Sequence, residues 1–248
     1  MSRPDVVSSD QSPSVAALFR YYRAMSRQSS PASGRAQDAR RRYRGMTADE
    51  FRAERRARLF ESALELFTSR GYVKTPIALL CAEAGVSTRH FYELYADREA
   101  LLCDVFDQLV LECSDMIAAA LATPVADPFD RIATAIRAFL QFGLEDDRRA
   151  RLVCLQMVGV SEHVEAHRRR NIRRLTALIA EQAQRFSETG ALPRRDYTTP
   201  ALMLTGAVNE LIIDFLTAEN PPTIEELARE MNLFFRAMLI GAQAYTPR

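Results

Sequence analysis

The stretch Gly85–Leu102, "GVSTRHFYELYADREALL", decides how the rest of the chain is read. Gly85 stops one helix, Ser87 can cap the next at once, and Asp97 can cap another soon after. The segment between is too short to hold a helix in water by itself, because nucleation fixes several residues before hydrogen bonds repay it. Neighbouring helices must hold it, so its purpose lies in what it presents. Working upstream, Ile77, Leu80, Cys81 and Ala84 give the inner face of a short helix that starts at Thr75-Pro76, since proline suits a first helical position. Before it, "TADE" at 47–50 forms a capping box from Thr47 to Glu50. Phe60, Ala63, Leu64 and Phe67 then recur at i, i+3, i+4, i+7, and Gly71 closes that helix.

Two short helices joined at a glycine turn, the second presented outward, are the parts of a helix-turn-helix, whose second helix enters the DNA major groove. Cys81 is small enough for a close helix crossing, and Val86 and Phe91 can bury beneath the second helix. Thr88, Arg89, His90 and Tyr92 are then left facing out. Threonine and arginine can read base edges, and the hydroxyls of Ser87 and Tyr92 suit phosphates.

At these residues the chain resembles the tetracycline-repressor (TetR) family of bacterial transcription factors. The resemblance runs from about Ala48 to Leu102 and rests on Gly71-Tyr72, Thr75, "LLCAEAGVS" (79–87), Phe91-Tyr92 and "DREALL" (97–102). It implies an all-α protein: a three-helix DNA-binding head with the helix-turn-helix, and a helical body for effector binding and dimerisation. It also implies phosphate contacts from Thr75, Tyr92 and Arg98. Three departures stand out. Leu94-Tyr95 replaces the family's His-Phe, which removes one usual phosphate contact. Cys81 replaces an alanine, and residues 1–46 far exceed a typical arm.

The 248 residues, 48% apolar and 26% charged, suffice for one large helical domain or two small ones, and Gly and Pro are too few for a turn-rich β protein. Net charge is only +1, yet residues 1–95 carry 16 Lys+Arg against 10 Asp+Glu, and residues 96–248 carry 17 against 22. A polyanion partner is therefore expected for the front alone. Cys81, Cys103, Cys113 and Cys154 form no CxxC pair and sit in apolar helical runs, which predicts reduced, buried thiols and a cytoplasmic setting. No apolar run reaches the roughly 18 residues of a membrane span, so no membrane association is expected. Residues 1–46 have the Ser-, Pro- and Arg-rich composition of a flexible extension, with "SVAALFRYYRAM" (14–25) either a short docking helix or a loose tail, and Met46 an alternative start.

The domain plan is thus an extension over 1–46, a DNA-binding domain over 47–96, and a body over 97–248. Capping and breaker residues predict six helices in the body: Asp97 to about Leu121, then from Asp127-Pro128, about Arg148–Val158, Glu162–Ser187, one ending near Ala218, and Thr223 to about Ala244. In the last two, Leu204, Val208, Leu211, Ile212 and Phe215, and Leu227, Met231, Phe234, Phe235 and Met238, each line one face. They read as a homodimer interface, which a palindrome-reading helix-turn-helix needs, or as internal core.

By resemblance, an effector pocket is expected among the body helices, lined by candidates Phe106, Val110, Phe139, Phe142, Leu155, Gln156, Met157, Leu175 and Asn209. Gln156 and Asn209 would orient the ligand, and the others read equally as plain core. With no basic lining in view, a lipophilic effector is favoured. His163 and His167 have a metal-ligand spacing, but five arginines in "EAHRRRNIRR" (165–174) disfavour a cation, and neither metal nor cofactor is expected. No phosphate loop, nucleophile elbow or catalytic carboxylate pair is present, so an enzyme is not expected. The reading is a transcriptional regulator, a repressor released from a palindromic double-stranded DNA operator by a small ligand. The alternative is a helical adaptor or structural protein with a vestigial head.

Overall fold

Thr47 caps the first helix reciprocally: its hydroxyl accepts from the Glu50 amide at 3.2 Å, and the Glu50 carboxylate accepts from the Thr47 amide at 2.6 Å. From this point a computed structural model describes residues 47–123, 128–188, 190 and 192–244. Helix α1 (Ala48–Arg70) is followed by α2 (Ile77–Ala84), α3 (Thr88–Tyr92), α4 (Arg98–Ala122), α5 (Pro128–Leu144) and α6 (Asp147–Arg151). Helices α7 (Glu162–Glu188), α8 (Thr198–Thr217) and α9 (Ile224–Ala244) complete the order, and no strand occurs among the described residues. The extension, with its docking-helix expectation, and the expected Asp127 cap lie outside the described residues.

Helix α6 departs from its predicted course to Val158. It runs straight into a π-helical turn, Leu152–Gln156. Residues five apart diverge by about 140° on an α-helix, whereas the wider π turn keeps them nearer one face. Leu152 and Met157 are both fully buried on the side of α1 and α4, while Cys154 and Leu155 pack toward the rest of the body.

Two apolar clusters result. The first joins Leu59, Leu64 and Phe67 of α1, Leu80 of α2, Phe91 of α3, Leu101, Val105 and Phe106 of α4, and Leu152 and Met157. The second joins Ile136 and Leu140 of α5, Ala150 of α6, Ile212 and Leu216 of α8, and Leu227 and Met231 of α9. Because α4 and the π turn belong to the first cluster, the head is welded to the body rather than tethered to it. Charges reinforce the joint. Arg148 reaches Glu65 of α1 at 3.1 Å and Asp146 at 2.8 Å.

Helix α8 is the most apolar of the long helices, although Glu210 and Asp214 interrupt its apolar run. By length and composition alone Thr198–Thr217 could cross a membrane, and it is the one helix among the described residues of which this holds. Its outward apolar residues bear on the interface considered below. All four cysteines are free, Cys81 and Cys103 buried and the other two half-buried rather than fully enclosed.

Candidate nucleic-acid interface

Helix α3 is five residues long, and the chain around it supplies what it lacks. Gly85 takes the left-handed conformation, φ 60° and ψ 35°, that ends α2 and turns the chain. The Val86 amide donates back to the Cys81 carbonyl at 3.0 Å, closing the turn. Ser87 caps α3, its hydroxyl accepting from the His90 amide at 3.3 Å. Beneath, Val86 and Phe91 are buried, as the sequence led us to expect. Phe91 lies 5.7 Å from the ring of Tyr95, itself buried.

What this scaffold exposes is a row of polar groups. Thr88 and Arg89 are exposed, with 87% of the Arg89 side chain open to solvent and only a 3.4 Å pairing to Glu93. Tyr92 is 56% exposed with its ring edge-on to Phe91, so an apolar support fixes the direction of its hydroxyl. His90 is half-buried, and its Nδ1 lies 2.9 Å from the Ser87 hydroxyl, which leaves Nε2 for an outside partner. Ser87, Thr88, Arg89, His90 and Tyr92 therefore share one short surface.

Thr75 does not join them. It is fully buried, and its hydroxyl donates inward to the Gly71 carbonyl at 2.8 Å and the Leu66 carbonyl at 3.2 Å. The side chain expected at a phosphate instead locks the α1–α2 turn. Pro76, not Thr75, holds the cap position before α2. Arg98 is half-buried: it donates to the Thr75 carbonyl at 2.7 Å, and its guanidinium lies 4.0 Å over the Tyr72 ring. It opens α4 at the edge of the head while bracing the same turn.

The sequence reading missed a clamp. Tyr95 donates its hydroxyl to Asp104 at 2.6 Å, and Asp104 also accepts from both Arg56 Nε, at 2.9 Å, and Arg56 Nη2. Burial, and then the neighbouring Asp104 charge, push the Tyr95 phenol up. This three-residue link ties α1 to α4 across the head. The Leu94-Tyr95 departure signals it, because a tyrosine at a buried position needs a polar partner.

In the body the expected ligand set divides. Phe106, Phe142 and Met157 are buried in the cluster shared with the head, with Val110 packed against it, whereas Phe139 and Leu155 pack on the other. Gln156 and Asn209 are half-buried, and Leu175 is 39% exposed, too open for a pocket wall. A cavity among the described residues lies elsewhere. It is a groove of about 200 Å³ between α5 and α9, lined by Ala133, Arg137, Gln141, Ala228, Arg229 and Asn232 among others.

The expected dimer set divides too. Ile212, Leu227 and Met231 are buried in the second cluster, with Val208, Phe215 and Phe235 packed on it, so these six serve as internal core. Leu204 is half-buried, while Leu211, Phe234 and Met238 face out, joined by Leu202, Met203, Leu233 and Ile240. Helical spacing located both helices, and Leu211, Phe234 and Met238 of the expected set lie on their exposed side. No cluster able to hold a metal occurs among the described residues, and His167 is engaged instead with Asp107 at 2.7 Å.

The comparisons agree with this geometry. Residues 59–105 match the model of "Bacterial regulatory proteins, tetR family". A putative TetR-family transcriptional regulator from Syntrophomonas wolfei shares the fold, with a TM-score of 0.68 and 17% identity over 76% of this chain and 96% of its own. FadR from Bacillus subtilis, in complex with stearoyl-CoA, gives 0.64 and 13% over 72% and 96%. AibR, in complex with isovaleryl coenzyme A and operator DNA, gives 0.57 and 17% over 72% and 96%. No curated protein matches the sequence. The head, over residues 59–105, thus matches the tetR family by sequence, and the body is similar to these regulators in fold.

Proposed function

We propose that the chain is a cytoplasmic transcriptional repressor that binds a palindromic operator as a homodimer and releases it when a small, lipophilic effector enters the body. One observation carries the reading: the exposed groups of Ser87, Thr88, Arg89 and Tyr92 on and before a helix too short to be stable by itself, held by Phe91 and the cap. Arg89, His90 and Thr88 are the base readers in this account. Tyr92, Ser87 and Arg98 hold phosphates, and Thr75 acts by fixing the turn that aims them.

The outward apolar faces of α8 and α9 support a dimer. Leu202, Met203, Leu211, Phe234 and Met238 form an exposed apolar surface that a second copy would cover. Gly206 and Ala207 on the same side of α8 let a partner helix approach closely. For the effector, Phe139, Leu155, Gln156 and Asn209, beside the π turn, are the retained lining candidates. The neighbours that hold stearoyl-CoA and isovaleryl coenzyme A favour an acyl group as the lipophilic part. Family members are generally regulators rather than enzymes, and no catalytic role is proposed.

A gel-shift with DNA flanking the chain's own gene tests the reading. Wild type should shift it, and Arg89→Ala should cost about 1–3 kcal/mol and relax preference at one base position. Unchanged affinity and preference in that variant would remove Arg89 from base reading. Failure of the wild type on every DNA would favour an adaptor with a vestigial head.

A further inference from the structure

We propose that Arg169, Arg170 and Arg173 of α7 form a second DNA-facing surface that neutralises phosphates of the duplex flanking the operator. The inference rests on the DNA-binding reading above and extends its footprint from the head to the body. Its first support is distribution. Residues 96–248 are acidic overall, 17 Lys+Arg against 22 Asp+Glu, yet five of those 17 fall within 168–174. Five of seven consecutive positions in two turns of one helix are thus basic.

The second support is place. His167 Nε2 lies 2.7 Å from Asp107 Oδ1, and Asn171 Nδ2 donates to the same oxygen at 3.1 Å, so this part of α7 is pinned to α4. Asp107 stands nine residues beyond Arg98, about 14 Å along the helix at 1.5 Å per residue. Arg170 Nη2 lies 3.4 Å from His167 Nδ1. Its charge also reaches Cys103, one turn nearer the head: burial, then Asp107 and Glu99, push that thiol up to about 12, and Arg170 works against them. Arg170 therefore lies on the flank of α7 beside α4, whose opening residue braces the head, while Arg169 and Arg173 point away from α4.

The third support is surplus charge. Arg168 and Arg169 share one carboxylate, Glu165, at 3.0 and 2.7 Å, and those hydrogen bonds, Arg168's first, hold its carboxyl down to about 2. Arg170 meets only an imidazole nitrogen, and Arg173 has no side-chain partner among the described residues. All three are exposed, Arg169 and Arg173 on the face opposite buried Asn171 and Arg170 on its flank. Guanidiniums held on a pinned helix within about a Debye length of a duplex, about 8 Å at physiological salt, gain from phosphates with little ordering cost.

The test compares wild type with an Arg169→Gln, Arg170→Gln, Arg173→Gln variant on two duplexes. One ends at the edges of the selected operator, and the other adds about one helical turn on each side. Each neutralised phosphate contributes about 0.9 to the slope of log affinity against log salt. The variant should lose about one to three units of slope per protomer on the long duplex, keep the wild-type slope on the short one, and retain base preference and thermal stability. Equal slopes for both proteins on the long duplex would overturn the inference while leaving operator binding intact, as would equal losses on both duplexes, which would place the arginines inside the operator. Wild type that binds neither duplex would overturn the DNA-binding reading itself, and this inference with it.

Discussion

Gly85 shows how much one residue settles. Its positive φ lets α2 end and α3 begin with only Gly85, Val86 and Ser87 between them. A Cβ built there meets nothing closer than an Arg58 nitrogen at 3.6 Å, so space does not require glycine and backbone conformation does. Gly85→Ala should therefore cost about 1 kcal/mol, the left-handed penalty alone, in urea unfolding. A cost of 3 kcal/mol or more would mean that the crossing is packed more tightly than described. Burial decides in the same way at Thr75. The sequence showed a threonine at a helix start, and only three-dimensional packing shows its hydroxyl spent on the Leu66 and Gly71 carbonyls. Tyr92 and Tyr95 illustrate the converse: two tyrosines three residues apart, one 56% exposed over Phe91 and one 7% exposed against Asp104.

Among the elements, capping chemistry was the most legible signal. The boxes at Thr47–Glu50 and Thr223–Glu226, and the caps at Ser87 and Asp97, stand where the sequence placed them, because each is a local interaction within four residues. The π turn was not legible, since its cause is a pair of cores that "LVCLQ" must serve at once. Nor was the outward stripe of α8 and α9, because both faces of each helix are apolar and periodicity alone does not rank them. That ambiguity gives a paired prediction. Phe234→Glu, on the exposed stripe, should yield folded monomers that sediment at half the wild-type mass and lose operator affinity. Ile212→Asp, in the core, should abolish cooperative unfolding instead, as a buried unpaired charge does. Dimers that survive Phe234→Glu would move the interface off this face of α9.

For the whole molecule, the contrast between a basic front and an acidic rear was open to direct counting. The welding of head to body was not, since it depends on Arg148 meeting Glu65 across 83 positions and on α4 serving both units. Charge also frames the part of the chain outside the described residues. Arg35, Arg40, Arg41, Arg42 and Arg44, against Asp38 alone, lead directly into α1. A basic arm at that point should add sequence-independent affinity by releasing counterions. Deleting residues 1–45 is predicted to flatten the salt dependence by a few units while leaving base preference intact. Identical salt slopes would assign the extension no part in binding.

The central claim is that two copies of α3 read a palindrome. Selection of bound sequences from a random double-stranded DNA pool by the full-length protein, followed by sequencing, tests it most directly. The account predicts an inverted repeat whose half-sites are centred about one helical turn, or a small multiple of it, apart, with one position per half-site relaxed when Arg89→Ala replaces wild type. A pool that emerges without an enriched motif, or with a single unrepeated site indifferent to Arg89→Ala, would contradict it.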